Sequence, residues 1–184
     1  MTKKRAVRKS ELKRKTAKRS VKKPSISVSP IDRALRQHLL YLLKQSVAHA
    51  TFDAVMEDWP VQLAGAKVAN FPHTAWMLLE HLRIAQWDIL EFSRNPKHVS
   101  PRWPEGYWPS SEAPPSGQAW TASIAACKKD LRAMENLIAD PKVDLLAKLP
   151  WGDGQTVLRE ALLVADHNAY HVGQLVMLRK SIGI

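Results

Sequence analysis

The sequence predicts an all-α fold, a four-helix bundle preceded by a disordered basic N-terminal tail. Three observations carry this. From residue 31 onward apolar residues recur at three- and four-residue steps. No stretch alternates apolar and polar residues with the Val/Ile/Thr richness of a strand. Four long segments are bounded by prolines rather than interrupted by them.

The tail comes first. Residues 1–30, "MTKKRAVRKSELKRKTAKRSVKKPSISVSP", hold 12 Lys+Arg against the single acid Glu11, so they carry the whole formal charge of +11. The remaining 154 residues hold 16 Lys+Arg and 16 Asp+Glu and balance to zero. Without an aromatic residue and with almost nothing to bury, this stretch is expected to be disordered. Clustered cations gain affinity for polyanions by releasing counterions, so one reading is an arm making weak nucleic-acid contact. A solvated extension without a partner is the other. A mitochondrial transit peptide fits less well, because the tail is richer in lysine than in arginine and has no amphipathic stripe.

The domain expected over residues 31–184 then opens with "IDRALRQHLLYLLKQSVAHATFDAVMED". Leu35, Leu39 and Leu42 form its seam, Asp32 stands at the N-cap position and Pro60 closes it. "NFPHTAWMLLEHLRIAQWDILEFSRNP" predicts a second helix between Pro72 and Pro96. "SGQAWTASIAACKKDLRAMENLIADP" places Trp120, Ile124, Cys127, Leu131, Met134 and Ile138 on one stripe of a third. The fourth starts near Thr156, after "WGDG", and runs to about Lys180. Between helices two and three lies "NPKHVSPRWPEGYWPSSEAPPSG", a long proline-rich connection carrying Trp103, Tyr107 and Trp108. Loops of this length in a compact domain are usually lids, binding loops or disorder. This one is expected to fold over one end of the bundle, as a flap or as a packing strap.

No apolar run approaches the ~18 residues of a membrane span, and no apolar h-region marks a secretory signal. The lone Cys127 excludes an internal disulfide framework and fits a reducing, cytoplasmic setting.

The chemistry concentrates in histidines. In "VADHNAYHVGQLVMLRK", His167 and His171 lie about 6 Å apart along a helix axis and within roughly 40° around it. Leu163, Val164, Gln174, Leu175 and Leu178 continue their stripe, so both rings are expected to face the core. In helix two, His81 shares a stripe with Met77, Leu78, Ile84 and Ala85, and Asp88 returns to nearly the same face seven residues on. Three neutral imidazoles with an open position suit a catalytic divalent ion. The alternative is three core histidines, each satisfied by a neighbouring hydrogen-bonding group. His38 and His98 read as surface or loop residues, His73 as a residue at a helix start. His49 continues the seam of helix one and is the weakest candidate ligand. Asp88 and Gln174 are candidate catalytic residues, orienting a ligand imidazole or taking a proton from a bound group; satisfying buried hydrogen bonds is their alternative role. Asp166 and Tyr170 lie further round the helix.

The stretches "ATFDAVMEDWP", "HTAWMLLEHLRIAQWDILEFSRNP", "SPRWPEGYWP" and "GDGQTVLREALLVADHNAYHVGQLVMLRK" together resemble the DinB-like superfamily, also described as YfiT-like metal-dependent proteins. That resemblance implies a bacterial-type, up-down-down-up four-helix bundle holding zinc or nickel through three histidines. Carried over by motif, they are His81 of "EHLR" and His167 and His171 of "HNAYH". It further implies a thiol S-transferase that joins a low-molecular-weight thiol to a small electrophile. A metal-dependent hydrolase and a non-catalytic, stress-associated binding protein stabilised by its metal are the alternatives. A homodimer is also expected among its assemblies, and no membrane partner is. The basic tail departs from the family pattern and inherits no role from it.

Overall fold

Each helix begins at a hydroxyl side chain that accepts a hydrogen bond from an otherwise unpaired backbone N–H of its first turn. In the computed structural model, which describes residues 29–44 and 48–184, α1 spans Pro30–Lys44, α2 Phe52–Met56, α3 Ala75–Arg94, α4 Gly117–Ala139 and α5 Val157–Ser181. Their caps are Ser29, Thr51, Thr74, Ser116 and Thr156. Asp32, expected as the first cap, instead lies within the first turn. There its carboxylate grips the Arg36 guanidinium at 2.8 and 3.0 Å. The segment expected as one helix to residue 58 is two: residues 48–50 are not helical, and Thr51 caps a separate short helix. Leu42 is accordingly 54% exposed, so of the expected seam only Leu39 is fully buried. The tail of residues 1–28, expected to be disordered, lies outside the described residues. Among the described residues there is no strand, only one isolated bridge between Lys148 and Thr156. No described helix is long and apolar enough to cross a membrane.

Side-chain pairings give the direction of each helix. Arg36, near the start of α1, donates to the carbonyls of Ile138, Asp140 and Val143 around the end of α4, so these two helices run antiparallel. Glu80 meets Ser123 and Gln86 meets the Cys127 carbonyl, so α3 and α4 run parallel. His81 meets His167 and His171, while Trp151, just ahead of α5, donates to the Phe92 carbonyl, so α3 and α5 run antiparallel. The order is up-down-down-up. Two parallel neighbours need a connection that travels back along the bundle, which accounts for the long stretch 95–116.

Around the bundle the helices follow one another as α1, α4, α3, α5. The apolar interior falls into two clusters. One gathers Trp59, Trp76 and Trp120 with Leu79, Val172 and Leu175; the other gathers Leu39, Leu90, Met134, Ile138 and Val164. Between them lies a polar layer in which Asn168 donates to Gln86 Oε1 at 2.7 Å, and Gln86 donates to the Cys127 carbonyl at 2.7 Å. The buried Arg36 is tolerated because Asp32 and three carbonyls meet its guanidinium; a charge taken from water needs such company.

Candidate metal centre

Helical periodicity brings the three histidines together. His81 lies on the face of α3 turned toward α5; His167 and His171 stand one turn apart on α5. One ring nitrogen from each can be chosen so that all three lie within 4.8 Å of one another, and no other His, Cys, Asp or Glu among the described residues joins them. His81 and His171 are buried and His167 is partly exposed, so the cluster sits at an edge of the bundle rather than at its centre. The expected stripe holds for Val164, Leu175 and Leu178, which are buried, but Leu163 is 36% exposed. Asp166 and Tyr170 are exposed, and Tyr170 meets His171 only edge-on, with centroids 4.9 Å apart.

The hydrogen bonds fix which nitrogens are available. His81 Nδ1 lies 2.9 Å from the Tyr107 carbonyl, which can only accept, so Nδ1 carries the proton and Nε2 presents a lone pair. His171 Nδ1 lies 2.7 Å from Gln174 Oε1, which leaves its Nε2 bare in the same way. His167 Nε2 stands 3.1 Å from His81 Nε2, and His167 Nδ1 is buried without a hydrogen-bond partner. No tautomer of His167 resolves this. If Nε2 holds the proton and bonds His81, Nδ1 is a buried lone pair with no donor; if Nδ1 holds it, two bare nitrogens face each other. A cation among the three nitrogens removes the second conflict, and neutral imidazoles are the donors that zinc and its neighbours favour. The residues therefore fit a divalent ion.

Protonation is suppressed here. Burial, and then the neighbouring His171 and His81, push His167 down to about 4 against an upward pull from Asn168. Burial likewise brings His171 to about 4, opposed by Gln174. His81 is lowered as well, by burial, with the Tyr107 carbonyl working against it. All three rings stay neutral at neutral pH, the form in which imidazole binds a metal.

The loop between α3 and α4 forms the roof. Trp108 lies flat on His81, with centroids 4.1 Å apart and planes 8° off parallel, and His73 stacks on Trp108 at 4.2 Å. Thr74 donates to the Glu112 carbonyl and Trp76 to Ser111, which fastens the loop along α3. Gly65 completes the seat, since a Cβ there would come within 2.4 Å of the Ala113 Cβ. Asp88 is on the expected face of α3, but its partners come from this loop. Oδ1 pairs with His98 Nε2 at 2.7 Å, and Oδ2 accepts from the Tyr107 hydroxyl at 2.6 Å. Asp88 thus reaches His81 only through Tyr107.

His98, read from sequence as a surface or loop residue, is on the loop but has a side chain only 6% exposed. His73 adds a second ring to the roof. No spacing rule signals either residue, because both depend on how an irregular segment folds back. His38 is exposed, and His49 is exposed with Nδ1 2.9 Å from the Ala50 carbonyl; neither joins the cluster. The Cys127 thiol is buried, directed at the Leu79 carbonyl, and pushed up to about 12 by burial.

Comparison with known proteins found no match among curated proteins and none among solved structures. One family does match: the model described as the DinB superfamily aligns with residues 46–175, about seven-tenths of the chain, including all three clustered histidines. With its all-helical architecture and its three-histidine cluster, this chain belongs to the DinB superfamily.

Proposed function

We propose that the protein is a zinc- or nickel-dependent thiol S-transferase that joins a low-molecular-weight thiol to a small electrophile. One observation carries this reading. Three neutral imidazole nitrogens converge at a partly exposed edge, and among the described residues no cysteine or carboxylate joins them. Cys127 is protonated and turned away, so the attacking group must come from a cosubstrate. A divalent ion held by His81, His167 and His171 would supply a positive centre that lowers a bound thiol's pKa, making thiolate available at neutral pH.

The chain's own residues prepare that position. The Tyr107 carbonyl and Gln174 Oε1 hold the Nδ1 protons of His81 and His171, which aims both Nε2 lone pairs at one point. Trp108 covers one face of His81 and keeps water from it. Asp88 and Gln174 serve as positioning residues: both oxygens of Asp88 are engaged by His98 and Tyr107, and Gln174 acts through His171. The cationic segment 1–30 supports a separate, salt-dependent and sequence-indifferent contact with polyanions.

The test is a conjugation assay with glutathione and a chlorinated aromatic or an epoxide. A free thiol with a pKa of about 8.5 is mostly protonated at pH 7, so acceleration must depend on the metal. The rate should vanish in the apoprotein and in His167→Ala, and persist in Cys127→Ser. Loss of the rate in Cys127→Ser would overturn the cosubstrate assignment. A metal-dependent rate with esters and water alone would replace transfer by hydrolysis. No metal-dependent rate in fully loaded protein, across several thiols and electrophiles, would leave a metal-stabilised binding protein.

A further inference from the structure

Beside the polar layer, a cavity of about 250 Å³ opens among α1, α2, α3, α4 and α5; Gln86 and Asn168 line it, and none of the three clustered histidines does. Its body is apolar, walled by Leu82, Leu131, Phe52 and Val172. The space exists because α5 presents alanines there, Ala165 and Ala169, one turn apart on the face that looks inward. Clefts with apolar walls and a few polar groups at the rim are where small ligands bind.

The mouth has a different character. Six titratable groups stand there: Lys44, His49, Asp53, Lys128, Arg132 and Glu135. Lys128 pairs with Asp53 at 2.7 Å, and Lys44 lies 3.9 Å from Glu135, so both acids are matched. Arg132 is exposed and has no carboxylate within 4.0 Å among the described residues. An apolar body beneath a mouth where Lys44, Lys128 and Arg132 outnumber Asp53 and Glu135 complements an amphiphile with an anionic head. A carboxylate suits that head, because guanidinium binds it in a planar two-point contact. The floor fixes the depth. Gln86 spends its amide on the Cys127 carbonyl and on Asn168, so this end carries no charge and leaves one free acceptor, Asn168 Oδ1.

We propose that this cavity is a second binding site, distinct from the metal centre, for a small monocarboxylate with an apolar tail of medium length. Fragment-sized ligands match its volume, since drug-sized molecules usually occupy clefts of about 300 Å³ or more. The tail would lie between Leu82, Leu131 and Val172, and the carboxylate would meet Arg132 at the mouth.

The experiment titrates full-length, metal-loaded protein calorimetrically with octanoate, octanol and propionate. Octanoate should bind saturably at one per chain, octanol at least about tenfold more weakly, and propionate not measurably; a tenfold change corresponds to about 1.4 kcal/mol. Arg132→Glu should weaken octanoate about tenfold and leave octanol unchanged. Ala169→Phe, which fills the cavity, should abolish binding of both while metal content stays at the wild-type level. Should Ala169→Phe fail to fold, Ala165→Leu is the milder filling and should weaken both ligands together. Absence of saturable octanoate binding would overturn the site, as would full affinity in a folded cavity-filled variant. Equal affinity for octanol and octanoate, or indifference to Arg132→Glu, would overturn the anionic class. None of these outcomes depends on the metal centre's reaction.

Discussion

Two polar clusters share the face of α3 that carries His81 and Asp88, and they differ in how far they satisfy themselves. Around Asp88, each carboxylate oxygen has a partner: His98 Nε2 on one, the Tyr107 hydroxyl on the other. Around His81, the two Nδ1 protons of His81 and His171 are held, but His81 Nε2 faces His167 Nε2, and His167 Nδ1 is buried without a hydrogen-bond partner. Burial penalises an unpaired polar group by about 1–3 kcal/mol, so the first arrangement is complete as it stands and the second calls for a further atom. That contrast separates architecture from site. The Asp88 cluster fastens a loop; the histidine cluster, under that loop, has the donors to hold a divalent ion.

The largest expected effect comes from exchanging the damage between the two clusters. His171→Ala removes one of three donors, and metal occupancy of the purified protein should fall from about one per chain to near zero. His38→Ala, on an exposed face of α1, is the control and should change nothing. Tyr107→Phe removes one hydrogen bond to Asp88 but keeps the carbonyl that holds His81. It should cost about 1–3 kcal/mol of stability by denaturant melt while occupancy stays close to wild type. Metal analysis together with melting reads both. If Tyr107→Phe empties the site as His171→Ala does, the two clusters are a single unit and the contrast fails.

The histidine cluster was largely legible in the sequence, because a 3.6-residue period is enough to set His167 and His171 on one stripe and His81 with Asp88 on another. The stripe of α4 was equally legible, with Trp120, Cys127, Met134 and Ile138 all buried as the spacing requires. The partners of Asp88 were not. His98 lies ten residues away, past the end of α3, and Tyr107 acts through both its hydroxyl and its backbone carbonyl; periodicity says nothing about a segment that has none. The break in the first segment was missed for a related reason. Leu35, Leu39 and Leu42 continue smoothly toward Phe52, and the stop is marked only by the hydroxyl of Thr51, one of several Ser and Thr residues in range.

A smaller effect is expected from pH at the histidine cluster. His167 and His171 titrate near 4 in the folded chain against an ordinary value of 6.5. Between these values the unfolded chain binds protons that the folded chain refuses. The stability these neutral rings allow is therefore fully present above about pH 6.5 and is lost as pH falls toward 4. Denaturant melts of the apoprotein across this range should show the decline, and His167→Ala/His171→Ala should show a shallower one. Metal should leave over the same range, because protonated imidazole does not coordinate. A decline of equal steepness in the doubly substituted protein would move the titration elsewhere and break the comparison on that point.

The smallest expected effect sharpens the contrast at Gln174. This side chain is only partly buried, and it accepts the Nδ1 proton of His171 at 2.7 Å. Gln174→Leu removes the acceptor but leaves the Nε2 donor in place. Partners of this kind typically matter by about 10–100-fold in metal affinity, and here water can reach the vacated Nδ1–H, so the loss should lie at or below about tenfold. Gln174→Glu works in the opposite direction. A carboxylate at the same point keeps the hydrogen bond and makes the imidazole more basic, so metal should be held at least as tightly as in wild type. Competition with a chromogenic chelator measures both variants on one scale. If Leu and Glu weaken the site equally, the role of Gln174 is to fill space beside α5 rather than to aim His171. The order Glu, Gln, Leu would instead place it with Tyr107, as one of the two groups through which satisfied hydrogen bonds hold unsatisfied nitrogens in position.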